Sequence, residues 1–192
     1  MNASLPLIAA FGCVGLLVLA TLVWFVAAYN RLIRQRNQVR AAWAQIDVQL
    51  KRRHDLIPNL VETVKGYATH ERGTLEAVVR ARAGAVAATQ AAGADRELAE
   101  NLLTQTLGRL FALAEAYPNL KANQNFAALS AELAATEDKI AYARQFYNSA
   151  VQALQNTRQS FPSSIVAGMA RIGGPEYFQA EAGAQGPVQV RF

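Results

Sequence analysis

The chain has 192 residues, 52% of them hydrophobic, and a formal net charge of +5, which fits a single domain. Seven basic residues and one acid lie between Arg31 and Arg53, so the rest of the chain carries a net charge of −1. Nucleic-acid-binding domains spread basic residues over a face and add base-stacking aromatics or a reader motif. Neither pattern occurs in this sequence, so nucleic acid is not expected as a partner.

An apolar segment from Leu7 to Ala28 predicts a transmembrane helix. Its 22 residues would span about 33 Å, enough to cross a hydrocarbon core. A cleaved signal peptide is the weaker interpretation, because no Lys or Arg precedes the segment and it is longer than a typical signal-peptide apolar region. Cys13, the single cysteine, is expected to be a small hydrophobic residue of this segment. A single cysteine also excludes an intramolecular disulfide.

Basic residues follow the apolar segment on its C-terminal side only. They are Arg31, Arg34, Arg36 and Arg40, and no charged side chain precedes the first of them. The positive-inside rule therefore predicts a short N-terminus outside and about 160 residues in the cytoplasm. Arg31 and Arg34 lie within about one turn of the predicted interface, where anionic lipid attracts each by about 1 kcal/mol.

A heptad stripe continues the helix beyond the membrane segment. Its members step by four and three, and they are Leu32, Arg36, Val39, Trp43, Ile46, Leu50, Arg53 and Ile57. Such a stripe is typical of a coiled coil. It has more apolar surface than a monomeric, solvated stalk needs, so the pattern predicts a homo-oligomer. The residues expected to form its contacts are Leu32, Val39, Trp43, Ile46 and Leu50.

A basic cluster, Lys51, Arg52 and Arg53, precedes Pro58. Proline lacks a backbone N–H and restricts the residue before it, so a kink or a restart of the helix is predicted there. The cluster lies about 30 Å beyond Arg31 along a helix, whereas the Debye length is about 8 Å. Its charges are therefore expected to be solvated, to pair with acids of neighbouring helices or a second subunit, or to touch another surface. We interpret this region as the hinge where the stalk enters the bundle.

The remaining sequence predicts helices joined by short connections. Apolar stripes occur at residues 61–78, 98–117 and 126–161, and residues 83–95 and 117–126 are expected to connect them. The predicted fold class is all-α, an N-terminal transmembrane helix that continues into an antiparallel up-and-down bundle of long helices with an irregular C-terminal tail. The predicted boundaries are 1–28 for the N-terminus and membrane helix, 29–162 for the bundle and 163–192 for the tail.

Histidine patterns give no metal site. The sequence HERGT, which contains His70, fails the zinc-protease pattern HExxH because Thr74 replaces the second histidine. His54 with Asp55 and Glu62 lacks a second histidine and makes a poor ligand set. Both histidines are therefore expected to be surface or capping residues, and no metal ligand is predicted.

Nucleophiles and paired carboxylates are equally unpromising. Ser163 and Ser164 lie in a proline turn and are expected to form local hydrogen bonds. Adjacent helical positions point in different directions, so Glu137 and Asp138 do not form a catalytic pair. They are expected to pair with Lys139's surroundings or with arginines of another helix. No catalytic residue and no cofactor are predicted, and the chain is not expected to be an enzyme.

The tail offers one interaction motif. Val188, Val190 and Phe192 alternate like an edge strand, which could dock a partner by strand addition or fold back onto the bundle. The segment around Ile165 is expected to fold back.

Five segments closely resemble the LemA family and occur in the family's order. They are YNRLIRQRNQVRAAWAQIDVQLKRRHDLIPNLVETVKGYATHE, LFALAEAYPNLKANQNF, TEDKIAYARQFYNSAV, SFPSSIVAG and EYFQAEAGA. The resemblance covers nearly all of the chain from Tyr29 to Phe192. It implies a bacterial membrane protein with one N-terminal span, placed here in the inner membrane, and an antiparallel helical domain. Some members carry a lipid-type cysteine just before the segment matching Tyr29 and Asn30. Ala28 stands there in this chain, so a retained span is expected.

The resemblance implies no reaction and no catalytic residues. It does imply links to membrane organisation, including a branch in magnetosome membrane formation, and to neighbouring membrane metalloproteases. We therefore expect a non-enzymatic, membrane-anchored helical scaffold that self-associates and organises membrane or membrane-protein partners. The alternative is an adaptor or sensor for a membrane protease or signalling partner, which docks through the C-terminal tail.

Overall fold

The computed structural model describes residues 4–68, 70–90, 94–175 and 177–178. Within these residues the structure contains α-helices, one 3₁₀ turn and no strand. The helices are α1 (Ser4–Lys65), α2 (Arg72–Ala87), α3 (Ala94–Ala114), α4 (Pro118–Lys121), α5 (Gln124–Gln159) and α6 (Ser163–Met169), with the 3₁₀ turn at Ala88–Gln90. The predicted all-α class with an N-terminal apolar helix and an antiparallel bundle is confirmed.

Helix α1 is a single helix of 62 residues. Its N-terminal part has a mean hydropathy of 2.4 and is long and apolar enough to cross a membrane. No glycine or proline occurs from Ala28 to Leu50, which explains why the helix continues from the apolar segment into the following stripe. One helix therefore both supports membrane anchoring and enters the helical core.

The chain divides into two compact units. In its described residues, the first unit contains residues 4–41 and 149–175, and the second contains residues 42–148 and 177–178.

The first unit has a small core that combines α1, the end of α5 and α6. Its buried side chains include Leu32, Val39, Val151, Leu154, Val166 and Ile172. The Gln35 amide donates to Thr157 Oγ1 at 3.0 Å and lies 3.4 Å from the carbonyl of Ala153. Helix α6 corrects the expectation that the tail is irregular from residue 163, because burial of Val166 and Ala167 gives this short apolar segment an inner face.

The second unit has the larger core. It is built from α1, α2, α3, α4 and the first part of α5, and its fully buried members include Ile57, Leu60, Val64, Val78, Leu103, Leu110, Leu120 and Leu133. The spacings of three and four within each helix are those of one apolar helical face. The sequence stripes at 61–78, 98–117 and 126–161 supply these faces.

The predicted restart at Pro58 is wrong, because α1 continues through this residue to Lys65. The helix ends instead where the backbone N–H groups of Tyr67 and Ala68 both bond to the Val64 carbonyl, at 3.0 and 2.9 Å. A proline removes the donor to the carbonyl four residues earlier, here that of His54. The side chain of Arg82 supplies a replacement, with its Nε 2.6 Å from that oxygen.

The apolar stripe of α1 does not face a neighbouring subunit. Leu32, Val39, Ile46 and Leu50 are buried within the single chain, and Trp43 is half-buried. The premise of the oligomer prediction, that other subunits must cover this stripe, is therefore wrong. The reason is that the antiparallel partner helices of the same chain provide the apolar cover.

Candidate functional site

The most distinctive site lies in the second unit around Arg53, whose side chain is 0% exposed. Its Nη2 forms an ion pair with Glu100 Oε2, and its Nη1 lies 2.6 Å from Glu137 Oε1 and 2.9 Å from Thr104 Oγ1. We call Arg53, His54, Glu100, Thr104 and Glu137 the Arg53 cluster. It connects α1, α3 and α5 through charged groups.

His54 is the second α1 member of the Arg53 cluster. Its Nε2 lies 3.1 Å from Glu100 Oε1, and its side chain is nearly buried. The prediction of a surface or capping histidine is wrong for His54. His70, in contrast, is exposed as predicted. The position of His54 in the sequence could have distinguished it from His70, because His54 is next to the stripe residue Arg53.

Helix geometry assembles the Arg53 cluster. Glu100 and Thr104 are four residues apart on α3, so both side chains lie on the face toward Arg53. The Thr104 hydroxyl also lies 3.2 Å from the Glu100 carbonyl. Glu137 comes from α5, and its contact with Arg53 confirms for this residue one of the two predicted alternatives, pairing with an arginine of another helix. Such a fixed, multiply bonded geometry is what keeps a buried guanidinium stable.

The electrostatics of the Arg53 cluster favour the charged carboxylate. Burial alone raises the pKa of Glu100, but the hydrogen bond from His54 and the charge of Arg53 outweigh it, so the pKa of Glu100 lies below its ordinary value. Glu100 is therefore an anion at neutral pH. An ionised, enclosed carboxylate held by an arginine is suited to structure rather than to proton transfer with an outside substrate.

The neighbouring cations follow the predicted alternative of intramolecular pairing. Lys51 Nζ lies 2.6 Å from Asp55 Oδ2, and Arg52 Nη2 lies 2.6 Å from Glu132 Oε1. The Lys51 hydrogen bond lowers the pKa of Asp55. Both pairs are exposed, so each contributes little to stability. Arg53 differs because it is buried and pairs with acids of two neighbouring helices, which was one of the predicted alternatives, whereas a solvated Arg53 is excluded.

A second polar–aromatic group surrounds Trp43. The Trp43 ring lies 5.2 Å from that of Tyr147, edge to face, and 5.9 Å from that of Phe178. Arg96 stacks 5.3 Å from the Trp43 ring and pairs with Asp47 at 2.5 Å. These contacts give Trp43 an internal role.

Hydrogen bonds hold the backbone of Phe178 next to Trp43 in the second unit. Asn148 bonds to its backbone twice, with Nδ2 3.0 Å from the carbonyl oxygen and Oδ1 2.8 Å from the amide nitrogen. The Arg144 guanidinium lies 4.5 Å from the Phe178 ring. Burial, followed by the charge of Arg53, lowers the pKa of Arg144 from its ordinary value.

An open groove of about 470 Å³ lies elsewhere on the second unit, between α1 and α5. Two of its lining residues have exposed rings, Tyr142 at 73% and Phe146 at 43%, and Val48, which precedes the lining residue Gln49 in the sequence, is 57% exposed. We call these three residues the outer patch. The residues that line the groove are Gln45, Gln49, Asp138, Lys139, Tyr142, Ala143 and Phe146. Among the described residues, the buried Gln49 Oε1 has no hydrogen-bond partner.

The other predicted site residues have separate placements. Arg31, Arg34 and Arg40 are exposed just beyond the apolar segment, and Arg36 is half-buried. Val188, Val190 and Phe192 lie outside the described residues. In the described part of the chain, no cluster of three His, Cys, Asp or Glu side chains has the arrangement of a metal site.

Comparison with known proteins identifies the family. The chain matches the LemA family over residues 42–192. It is similar to the magnetosome proteins MamQ 1 and MamQ 2 of Paramagnetospirillum magneticum, each 23% identical over 196 residues, with 89% of this chain and 72% of the relative covered. It is also 25% identical to Protein LemA of Metamycoplasma hominis over 156 residues, or 81% of this chain and 71% of the relative. Because the family match extends over most of its length, this chain belongs to the LemA family.

Proposed function

We propose that this chain is a non-enzymatic, membrane-anchored helical scaffold that self-associates and organises membrane proteins. The observation that carries the proposal is α1, in which the apolar membrane segment and the core of the helical bundle form one 62-residue helix. Because one helix contains both parts, the membrane segment attaches the bundle to the membrane directly. The proposed location is the bacterial inner membrane, with the bundle in the cytoplasm, as the arginines after the apolar segment favour.

The proposal that the chain is not an enzyme rests on the burial of the Arg53–Glu100 ion pair. Arg53 and Glu100 have fully buried side chains and bond to one another. A general acid or base must come within hydrogen-bond reach of its substrate. The buried pair instead joins α1 to α3, and Arg53 also bonds to Glu137 on α5. Metal analysis of the purified full chain and of His70→Ala tests this part: a metal-free chain with unchanged self-association in the variant is expected, and a bound metal that the substitution removes would support an enzyme.

The surface that we assign to self-association is the outer patch. Two aromatic rings and a valine are exposed beside a groove whose rim carries Asp138 and Lys139. In a two-fold dimer the same surface meets itself, so an acid next to a base is complementary to its own copy. The groove also offers the buried acceptor Gln49 Oε1. A donor from a second copy would satisfy it.

Family relatives support a role at membranes. Two similar chains are named magnetosome proteins. Organising a membrane requires many copies in one place, which self-association provides. The proposed scaffold would therefore present repeated bundles along one membrane surface.

Cross-linking in native membranes tests this proposal. The chain with Cys13→Ala and Tyr142→Cys is expected to form a disulfide-linked dimer under mild oxidation, because the proposed dimer brings the outer patches of two copies together. The matched control is Val79→Cys, at an exposed apolar position on α2. Equal cross-linking at the two positions, or none at Tyr142→Cys, would contradict self-association through the outer patch.

A second candidate is an adaptor for a membrane protease or signalling partner. It is favoured by the attachment of Phe178, the last described residue, to Asn148 and its contact with the Trp43 ring. Deletion of residues 187–192, followed by co-purification of membrane partners, separates the candidates. Loss of a partner with intact self-association would favour the adaptor, and retention of both favours the scaffold.

A further inference from the structure

Three large apolar side chains are exposed around α6. Phe161, Ile165 and Met169 are 82%, 55% and 69% exposed. Ile165 and Met169 are four residues apart in α6, and residues with this spacing lie on one side of a helix. Phe161 lies in the turn before α6, and the opposite side of the helix is buried through Val166 and Ala167. The outer side of α6 is thus apolar where a water-facing helix carries polar side chains. We call Phe161, Ile165 and Met169 the α6 face.

Hydrogen bonds hold α6 close to the end of the membrane segment. Ser163 Oγ, in the first turn of α6, lies 2.6 Å from the Thr157 carbonyl, and the Thr157 hydroxyl accepts from Gln35 at 3.0 Å. Gln35 lies seven residues beyond Ala28, which is about 10 Å along an upright helix. The headgroup region extends about 5–8 Å beyond the hydrocarbon core on each side. The start of α6 therefore lies at or just above the headgroups.

The charge of this unit matches an anionic surface. Residues 29–41 and 149–175 contain six arginines and no acid. These are Arg31, Arg34, Arg36, Arg40, Arg158 and Arg171. Basic residues next to a membrane attract anionic headgroups, and the attraction reaches about one Debye length, or 8 Å. A second copy would bring the same arginines together, which disfavours self-association through the α6 face.

We propose that the α6 face is a second membrane contact, inserted among the headgroups of the membrane that α1 crosses, with anionic lipid as its partner. An apolar helical face with surrounding basic residues is the pattern of helices that lie in a membrane interface. The contact fixes the first unit against the membrane surface beside α1. The proposal rests on the membrane anchoring in the proposed function, and it does not depend on self-association through the outer patch.

The test uses the full chain in vesicles of phosphatidylcholine and phosphatidylglycerol, with Cys13→Ala as the background. The substitution Ile165→Cys carries an environment-sensitive fluorophore that is quenched by lipids with a nitroxide near the headgroup, and lipids with a nitroxide deep in the acyl chain are the quenchers for Leu19→Cys. Val79→Cys, at a similarly exposed position on α2, is the matched control, and Leu19→Cys reports the membrane segment itself. We expect several-fold stronger quenching at Ile165→Cys than at Val79→Cys, and weaker quenching at Ile165→Cys in vesicles of phosphatidylcholine alone.

Each other outcome overturns a stated part of the proposal. Quenching at Leu19→Cys with none at Ile165→Cys removes the α6 contact and leaves the anchor intact. No quenching at Leu19→Cys removes the anchor and the α6 contact together. Equal quenching with and without phosphatidylglycerol removes the anionic lipid as partner. If the emission at Ile165→Cys changes only when the labelled chain is diluted with unlabelled chain, the α6 face contacts a second copy. This result would contradict the proposal.

Discussion

The side chain of Arg82 donates a hydrogen bond to the backbone carbonyl of His54, with 2.6 Å between Nε and O. In a regular α-helix this carbonyl accepts from the N–H four residues later, which belongs here to Pro58 and is absent. Arg82 therefore replaces a main-chain donor with one from a neighbouring helix. This relationship explains how α1 passes Pro58 and carries the Arg53 cluster and the distal core on one helix.

Arg82→Ala should lower the free energy of unfolding by about 1–3 kcal/mol, because it leaves the His54 carbonyl without a donor. In a Pro58→Ala background, the backbone N–H of residue 58 can bond to that carbonyl, so Arg82→Ala should cost less. The expected coupling in this double-mutant cycle is about 1 kcal/mol. Urea unfolding of the full chain in mild detergent, followed by circular dichroism, measures it.

Arg80→Ala is the matched control for Arg82→Ala. Arg80 is exposed on the same helix and lies 3.8 Å from Glu76, so its removal should change stability by no more than about 0.5 kcal/mol. The same cost for Arg82→Ala with proline or alanine at position 58 would contradict the donor role of Arg82.

Arg53→Met should be far more damaging than Arg52→Met. Removing Arg53 leaves Glu100 buried without its main cation, a change expected to cost about 3–5 kcal/mol. Arg52 pairs with Glu132 at an exposed site, where the loss should be about 1 kcal/mol or less. Adding Glu100→Gln to Arg53→Met should recover part of the lost stability. Similar costs for the two arginine variants, measured by urea unfolding, would remove the special role of the Arg53 cluster.

The pKa of Glu100 predicts a pH dependence with a definite sign. Because its pKa is below the ordinary value when folded, the unfolded chain binds more protons and stability rises with pH. The contribution is fully present above the unfolded pKa of Glu and is lost as pH falls through the folded pKa. The stability difference between the unsubstituted chain and Glu100→Gln should therefore shrink in acid.

Unfolding free energies from pH 6 downward measure this difference for the unsubstituted chain and Glu100→Gln. Leu98→Ala, an exposed change without a titratable group, serves as the control and should give a constant difference. A difference for Glu100→Gln that stays constant, or grows in acid, would show that Glu100 does not carry the predicted contribution.

Asn148→Ala tests the attachment of Phe178. The substitution removes both hydrogen bonds between the Asn148 amide and the Phe178 backbone, and each such bond contributes about 1 kcal/mol. Hydrogen exchange at the backbone amide of Phe178 should accelerate, whereas exchange in α2 should not change. Gln145→Ala is unsuitable as a control, because Gln145 has contacts of its own. The control is therefore Ala141→Ser, at an exposed position on α5. Unchanged exchange in Asn148→Ala would contradict the attachment.

Much of the fold could be predicted because it follows from apolar periodicity. The helix that continues from the membrane segment through Leu50 and the later stripes could be read from the sequence, and the contact of Glu137 with an arginine of another helix was one of two alternatives. The end of α1 at Lys65 could not be predicted, because Pro58 is a strong local helix-breaking signal. Its missing donor is replaced by Arg82, which is 24 residues later, and long-range rescue leaves no local pattern.

The sequence also could not show what covers the α1 stripe. Leu32, Val39, Ile46 and Leu50 show that a face is covered but not whether the same chain or a second copy covers it. The buried state of Arg53 was unreadable for a related reason. A basic residue between Arg52 and His54 reads as a solvated charge unless the acid that meets it, Glu100 on α3, is known to lie opposite.

The central claim is that the folded chain keeps its α1 stripe internal and self-associates through the outer patch. The protein mass of the particle formed by the full chain in mild detergent, measured by light scattering, tests it directly. The account predicts a mass of more than one 20.8 kDa chain, falling to one chain when Tyr142→Glu and Phe146→Glu are combined and unchanged for Val79→Glu. A single-chain mass for the unsubstituted protein at every concentration would contradict the account.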